Sequence, residues 1–406
     1  MGALERLKKY IDEHGLRPHI LVSAPGRVDF LNTHQDYKGL PVVPMAVNLR
    51  IYMAAVKKLD SKFVVESLDL GEKSTFEIDD QLTRGREFTD YLKACVIALK
   101  KHANIRIESG YHIIISSDIP IGGGMGSSGA LEVCFIKILE GLIGFKMDKK
   151  TIAETAFIAE NKVMGIPCGR LDQYASAFGG IIMLKPTWPP KIEELNTPPL
   201  EILVVDSGVK HETASIHPIR QEEIMQGVRE LLELEIPESL RRKLTGRIDT
   251  IRWEEIMEDE IAEYLESINR TYAKRILFTI RMNDLTKIAV RILKGQSPSK
   301  KDIERLKNLG IKAEEPADIL CGIVNKQHEL LRDLYEVSIP EIEKIIDNAM
   351  SSGARAAKIS GAGLGGCIII LAEEKDIANI IESCLDAGAK KVWNVKVDEG
   401  ARIEEI

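Results

Sequence analysis

A glycine-rich turn, set between an apolar run and an amphipathic segment, constrains the fold of this chain more than any other part of the sequence. The turn reads Ile-Pro-Ile-Gly-Gly-Gly-Met-Gly-Ser-Ser-Gly-Ala over residues 119–130. The run Tyr111–Ser116 before it has the composition of a buried strand, and Leu131–Leu142 after it repeats apolar residues at helical spacing. We therefore predict a strand, a tight turn and a helix in succession, within a fold that mixes helices and strands.

This turn is suited to binding a phosphate group. Its glycines leave no Cβ in the way, so main-chain N–H groups can close on phosphate oxygens at the positive N-terminal end of the helix. These glycines are Gly122, Gly123, Gly124 and Gly126. Ser127 and Ser128 add hydroxyl oxygens of the kind that a nucleotide-bound Mg²⁺ prefers. The simpler alternative is a tight turn in which a serine caps the helix.

Two other phosphate-binding patterns fit less well. A Walker A loop requires a lysine that this turn lacks, so that kind of site is excluded. The spacing Gly124-x-Gly126-x-x-Gly129 satisfies the fingerprint of Rossmann dehydrogenases. That fingerprint also needs an acidic residue about 20 positions later, at the end of a second strand, where this chain is still in or just leaving a helix. A dehydrogenase is therefore an alternative rather than the first choice.

The length and the prolines predict two domains. The 406 residues suffice for two or three domains. Five of the sixteen prolines lie between residues 186 and 199, where they make a long helix or a central strand improbable. We place the boundary there, with an N-terminal domain over residues 1–195 and a C-terminal domain over residues 196–406. Residues 221–347 are typical of a helical scaffold and carry no recognisable chemical motif.

Charge and cysteine content exclude several classes of partner. Lys and Arg number 55 against 62 for Asp and Glu, so the net charge of −7 attracts neither nucleic acid nor an anionic membrane. The six cysteines are scattered and show no zinc-binding spacing. No run approaches 18 apolar residues, and the N-terminus lacks the apolar core of a leader peptide. We expect a soluble cytoplasmic protein.

A polar segment over residues 23–39 contains an arginine, two aspartates and a histidine between glycines. Its polarity predicts a loop outside the core. Such a loop could present Arg27 to a phosphoryl group, and His34 and Asp36 to the hydroxyl groups of a polar ligand. The alternative is a surface loop with an exposed Arg–Asp pair.

Two carboxylates occur over residues 159–173. Glu160 comes late in a predicted helix and borders its apolar face, and Asp172 follows a Pro-Cys-Gly break. Glu160 could complete a Mg²⁺ site and Asp172 could accept a proton. The alternative makes Glu160 a solvated helix residue and Asp172 a helix cap.

Taken together, these segments resemble the GHMP kinases, and within them the galactokinase branch. Ala24–Val28 followed by His34–Gly39 resembles the first motif, and Pro120–Ala130 resembles the second with Met125 in place of leucine. Ala159-Glu160 and Pro167–Gln173 are similar to two further elements of the branch, and Lys358–Cys367 resembles the third, glycine-rich motif. The matches run in the family's order over nearly the whole chain.

The resemblance implies an α+β fold with an N-terminal ribosomal-S5-like domain, a C-terminal ferredoxin-like domain and an active site in the cleft between them. It implies transfer of the γ-phosphoryl group of Mg-ATP to a monosaccharide hydroxyl, the anomeric hydroxyl of galactose or of a relative modified at C6. ATP would lie on Pro120, Gly122, Gly123, Gly124, Met125, Gly126, Ser127 and Ser128, with Mg²⁺ held by Ser128 and Glu160. Asp172 would be the base and Arg27 its cationic neighbour. The sugar would contact Thr33, His34, Asp36, Asp172 and His217, and a glycine motif of Gly361, Gly363, Gly365 and Gly366 would support the site.

The departures from the family pattern concern the sugar. The chain has Asn32-Thr33 where the first motif has Gly-Glu, and it offers His217 where the branch carries a tyrosine. The missing glutamate normally meets the C6 hydroxyl, so Thr33 would admit a C6 carboxylate that a glutamate would repel. The alternatives are a kinase of galacturonate or glucuronate, a kinase of arabinose or N-acetylgalactosamine, and a catalytically silent sensor of sugar and ATP. Monomer and homodimer both remain open.

Overall fold

The computed structural model describes residues 1–58, 60–79, 87–209 and 213–405. Its strands are β1 (Ile20–Leu31), β2 (Val43–Lys57), β3 (Lys62–Ser67), β4 (Glu72–Glu77), β5 (Tyr111–Ser117), β6 (Ile181–Lys185), β7 (Lys191–Leu195), β8 (Glu201–Asp206), β9 (Ala356–Ser360), β10 (Cys367–Ala372), β11 (Lys391–Val395) and β12 (Arg402–Glu404). Its helices are α1 (Ala3–Glu13), α2 (Phe88–His102), α3 (Ser127–Ile143), α4 (Lys149–Ile158), α5 (Leu171–Phe178), α6 (Thr213–Glu233), α7 (Glu238–Leu244), α8 (Glu258–Leu265), α9 (Arg270–Leu293), α10 (Lys300–Asn308), α11 (Pro316–Asp333), α12 (Pro340–Ser351) and α13 (Ile377–Asp386). A 3₁₀ turn spans Asp36–Lys38, and a π-helical turn, Ala159–Val163, follows α4.

The first sheet has the strand order β12-β1-β2-β5-β3-β4, with β6 beside β2 and β7 beside β6. Its central strands β1, β2 and β5 are antiparallel, and β3 with β5 is parallel. Side chains alternate along β1, so Leu21 packs against Leu7 of α1 while Val22 belongs to the main core. The predicted strand, turn and helix are confirmed as β5, the glycine turn and α3. Because this sheet is not a doubly wound parallel one, the dehydrogenase alternative is wrong.

The second sheet is antiparallel, in the order β11-β8-β10-β9. Its two central strands, β8 and β10, are mostly apolar and buried. The helices α6 to α12 connect β8 to β9, and α13 connects β10 to β11. This strand order with helical connections is the ferredoxin-like arrangement that we expect, and the helical block over residues 221–347 is its enlarged first connection.

The change from the first sheet to the second falls between β7 and β8, within the proline-rich segment. The chain then returns, because β12 pairs with β1 through Leu21 and Glu404. Arg50 is buried beneath this returning segment and donates to Asp398 Oδ2 at 2.8 Å and to the carbonyl oxygen of Gly400 at 3.0 Å. Our domain limits remain a prediction, and the last strand of the second half lies on the first sheet.

The predicted loop over residues 23–39 is wrong in its first half. All residues of β1 are buried, and Arg27 and Asp29 lie within that strand. They are tolerated there because opposite charges and hydrogen bonds compensate each other's burial. No helix in the described part of the chain is long and apolar enough to cross a membrane.

Candidate active site

A cavity of about 400 Å³ opens where the two halves of the chain meet. Its wall combines β1 and the turn after it, the glycine turn and residues 160–173 with the start of α6 and the turn after β9. Most of the predicted site residues line it, namely Arg27, Thr33, His34, Asp36, Gly122, Gly124, Met125, Gly126, Ser127, Ser128, Glu160, Asp172, His217 and Gly361. Five predicted residues are not among the lining residues: Pro120, Gly123, Gly363, Gly365 and Gly366.

The glycine turn lines the cavity. Gly122, Gly124 and Gly126 have φ of 71°, 73° and 67°, in the left-handed region that favours glycine. The cap position of α3 is occupied by Gly126, which has no side chain, so the alternative of a serine cap is wrong. The first N–H groups of a helix have no partner within that helix. Here they are left for a ligand at the positive end of the helix dipole.

The third glycine motif contacts this turn from the second half of the chain. A Cβ at Gly361 would lie 3.3 Å from the carbonyl oxygen of Gly124, and Gly361 itself has φ of 93°. Gly123 also lies against the second half of the chain, since a Cβ at this position would lie 3.5 Å from the Sγ of Cys367. The predicted supporting motif therefore reaches the turn through Gly361.

Arg27 and Asp172 form an ion pair on the cavity wall. Arg27 Nε and Nη2 both donate to Asp172 Oδ1, at 2.8 and 2.5 Å, and Nη1 donates to the carbonyl oxygen of Gly124. Burial disfavours the charged guanidinium, but Asp172 and Asp29 outweigh this effect and raise the pKa of Arg27 above its ordinary value. Asp172 lies in the first turn of α5 and the cap position is Arg170, so the alternative of a helix cap is wrong.

Glu160 lies in the π-helical turn and is buried, so it is not the solvated residue of the alternative prediction. It accepts a hydrogen bond from Ser128 and another, 2.5 Å long, from Gln173 Nε2. The same amide donates to Glu132 Oε2 at 3.2 Å. Burial, assisted by the charge of Asp172, raises the pKa of Glu160 to about 7. A carboxylate and a hydroxyl thus stand together beside the glycine turn.

Asp36 and two histidines form a further part of the cavity wall. The rings of His34 and His217 have centroids 5.1 Å apart, and His34 Nε2 is 3.0 Å from the carbonyl oxygen of Ala362. Burial, the charge of His217 and the charge of Lys38 lower the pKa of His34 well below its ordinary value. Burial raises the pKa of Asp36, and His217 partly offsets this effect. This side of the cavity therefore combines a carboxyl group with imidazoles.

Three residues of the site were not predicted. Asp29 lines the cavity with its Oδ1 3.5 Å from Arg27 Nε, and Gln173 lines it beside Glu160. Lys358 is buried behind Thr33. Two signals could have found two of them: Asp29 is two residues from Arg27 and so shares its face of the strand, and Lys358 is the one charged residue of the buried strand β9.

Models of protein families match three parts of the chain. The GHMP kinases N terminal domain matches residues 90–180, the GHMP kinases C terminal domain matches residues 300–391, and the galactokinase galactose-binding signature matches residues 8–57. Galactokinase of Roseiflexus sp. (strain RS-1) is 28% identical over 380 residues, which are 92% of this chain and 88% of that protein. Galactokinase of Pyrococcus furiosus is 29% identical over 388 residues, 93% of this chain and 96% of that protein.

Two solved structures show the same fold. Lactococcus lactis galactokinase, solved in complex with galactose, superposes with a TM-score of 0.77 at 22% identity and covers 98% of this chain and 99% of its own. Methanococcus jannaschii mevalonate kinase gives a TM-score of 0.67 at 19% identity and covers 94% of this chain and 99% of its own.

Both sheets, the glycine turn and the family models agree, and the chain belongs to the GHMP kinases. This confirms the predicted fold class and the predicted enzyme class, a phosphotransferase. The match of the galactose-binding signature to β1 and β2, together with the full-length relatives, then places it in the galactokinase branch. The roles of individual residues remain predictions.

Proposed function

We propose that this chain transfers the γ-phosphoryl group of ATP to a hydroxyl group of a monosaccharide of the galactose type. The observation that carries the proposal is that the Arg27–Asp172 pair and the glycine turn line one cavity. The galactokinases to which the chain is similar support the choice of acceptor.

The glycine turn is the proposed phosphate site. Its amides and the start of α3 offer hydrogen bonds and positive potential to the triphosphate. Ser128 and Glu160 fit Mg²⁺, since a hydroxyl and a carboxylate are the hard oxygen ligands that this ion prefers. A bound Mg²⁺ would neutralise charge on the phosphate oxygens. Burial raises the pKa of Glu160 to about 7, and a bound divalent cation would favour its carboxylate form.

Asp172 is the proposed proton acceptor. Both hydrogen bonds from Arg27 go to Oδ1, and within the described residues no donor reaches Oδ2. Oδ2 is therefore free to accept the proton of the sugar hydroxyl. As that proton leaves, the hydroxyl oxygen forms a bond to the γ-phosphorus, the bond from phosphorus to the bridging oxygen breaks, and ADP departs. Arg27 orients Asp172 and lies near the transferred charge.

His34, Asp36, His217 and Thr33 are the proposed sugar contacts. Asp36 is fixed against Gly169, where a Cβ would lie 1.9 Å from Asp36 Oδ2. A carboxyl group and imidazoles suit neighbouring hydroxyl groups, because they offer both acceptors and donors. The partners of the protein are then two small molecules, and we expect it to act in the cytoplasm, where ATP is available.

The proposal is tested by incubating the purified protein with Mg-ATP and single sugars and measuring ADP. Sugar-dependent ADP together with a phosphorylated sugar supports it. A protein that gains thermal stability from ATP and sugar but forms no ADP with any of a broad set of monosaccharides is the silent sensor instead. The assembled Arg27–Asp172 pair and the Ser128–Glu160 pair favour the enzyme.

A further inference from the structure

A buried lysine stands behind the cavity wall. Lys358 lies in β9 with its ammonium fully buried. Its Nζ donates to the carbonyl oxygens of Asp29 and Ile359 at 2.9 and 2.7 Å, and to Thr33 Oγ1 at 2.9 Å. These three bonds use all three donors of the ammonium group. Burial, partly offset by Asp29, lowers the pKa of Lys358 to about 8, so it remains mostly charged at neutral pH.

The bond from Lys358 fixes the role of the Thr33 hydroxyl. Because Oγ1 accepts from an ammonium, the hydroxyl keeps its own proton to donate and one further lone pair. Within the described residues no acceptor takes that proton, and Thr33 lines the cavity. The wall at this point therefore offers a ligand a hydrogen-bond donor with a cation directly behind it.

The carboxyl groups near this point have the opposite character. Asp36 and Asp172 offer carboxyl oxygens, and the carboxylate of Asp29 lies beside Arg27. A neutral sugar would gain little from the Lys358 charge, whereas an anionic oxygen on Thr33 gains from both the hydrogen bond and the charge. A glutamate at position 33 could instead only accept a hydrogen bond and would repel an anion.

We propose that the acceptor sugar is a hexuronic acid whose carboxylate receives the hydrogen bond of Thr33 in the field of Lys358. This inference rests on the proposed function, since it names the substrate class of the same site. It makes Thr33 and Lys358 the residues that determine specificity, while Asp172 and the glycine turn carry out the transfer on any sugar that binds.

The test measures kcat/KM with Mg-ATP for galacturonate, glucuronate and galactose. The wild-type protein should prefer one of the two uronates over galactose by at least about tenfold. Thr33→Val keeps the shape but removes the hydroxyl, and should lower kcat/KM for that uronate by about tenfold or more while changing galactose less. Thr33→Ser restores the hydroxyl and should keep the preference. Thr33→Glu should lower uronate turnover by roughly 10²-fold or more, through repulsion between carboxylates.

The outcomes separate the two proposals. Faster turnover of galactose than of both uronates by the wild-type protein overturns the uronate inference and leaves the kinase proposal standing. Equal losses on all sugars in Thr33→Val also overturn it, because Thr33 would then be structural. Failure of all three sugars to give ADP overturns the uronate inference, and failure across the broad set of monosaccharides overturns the kinase proposal as well. Thermal unfolding with and without ATP verifies that each variant is folded.

Discussion

At Gly129, a substitution that favours helix formation should lower the rate of catalysis. Gly129 lies in the first turn of α3, directly against Asp172 of α5. A Cβ at Gly129 would lie 2.7 Å from Asp172 Cβ and 3.1 Å from the main-chain nitrogen of Gln173. Ordinary contact begins at 3.4 Å, so the start of α5 must move back by about 0.7 Å. The obstacle is main chain and Cβ rather than the tip of a flexible side chain.

We expect Gly129→Ala to lower kcat by roughly 10- to 100-fold, because a displacement approaching 1 Å of a catalytic group costs on the order of 10² in rate. Alanine is the better helix former by about 0.5–1 kcal/mol, so the loss of activity should not follow from unfolding. The assay is sugar-dependent ADP formation, with kcat and KM for both substrates, beside a thermal unfolding curve.

Gly141→Ala is the matched control on the same helix. Its Cβ would meet only the Cδ1 of Ile20 closely, at 2.2 Å, and this is the tip of a side chain that can turn aside. This variant should keep kcat. Unchanged kcat in a folded Gly129→Ala protein, or equal losses in both variants, would refute the argument that the 129–172 contact positions the base.

The remaining predictions concern single contacts of the site. Asp172→Asn should bind ATP normally, as judged by thermal stabilisation, and lose turnover by roughly 10²- to 10⁴-fold; near-normal turnover removes Asp172 from the mechanism. Gly169→Ala should raise KM for the sugar by about tenfold and leave KM for ATP unchanged. The reason is that a Cβ at Gly169 would lie 1.9 Å from Asp36 Oδ2 and displace that carboxyl group. A change in KM for ATP alone would contradict this prediction. Burial raises the pKa of Glu160 from 4.5 to about 7, so the stability linked to its proton is full below pH 4.5 and is lost as pH rises through 7. Thermal unfolding measured without metal should show this loss of stability between pH 4.5 and 7 in the wild-type protein but not in Glu160→Gln. The same pH dependence in both proteins would contradict the raised pKa of Glu160.

The sequence predicted the parts of this protein whose signals are local. The glycine turn and its flanking elements follow from spacing alone, and the ferredoxin-like half follows from the resemblance. The burial of β1 was missed, because composition shows polarity but not the partners that satisfy it. Arg27 is paired by Asp172, which is 145 positions away in the chain.

The site was predicted as a set of residues rather than as a geometry. Motifs named Asp172 and Glu160, but only the structure shows that one amide, that of Gln173, joins Glu160 to a second buried carboxyl group at Glu132. Lys358 belongs to the third motif, but the sequence predicts no role for it. Its contact with Thr33 depends on how the two halves of the chain meet.

By pairing with β1, the strand β12 covers an edge of the first sheet. Without β12, Leu21–Ser23 would lose their hydrogen-bonded partners on one side. β1 would then be an exposed edge strand with unpaired main-chain donors and acceptors. Arg50 would at the same time lose its buried acceptors at Asp398 and Gly400. We therefore expect proteins that lack residues 397–406 to self-associate, and only the segment between β7 and β8 would then cross from one sheet to the other.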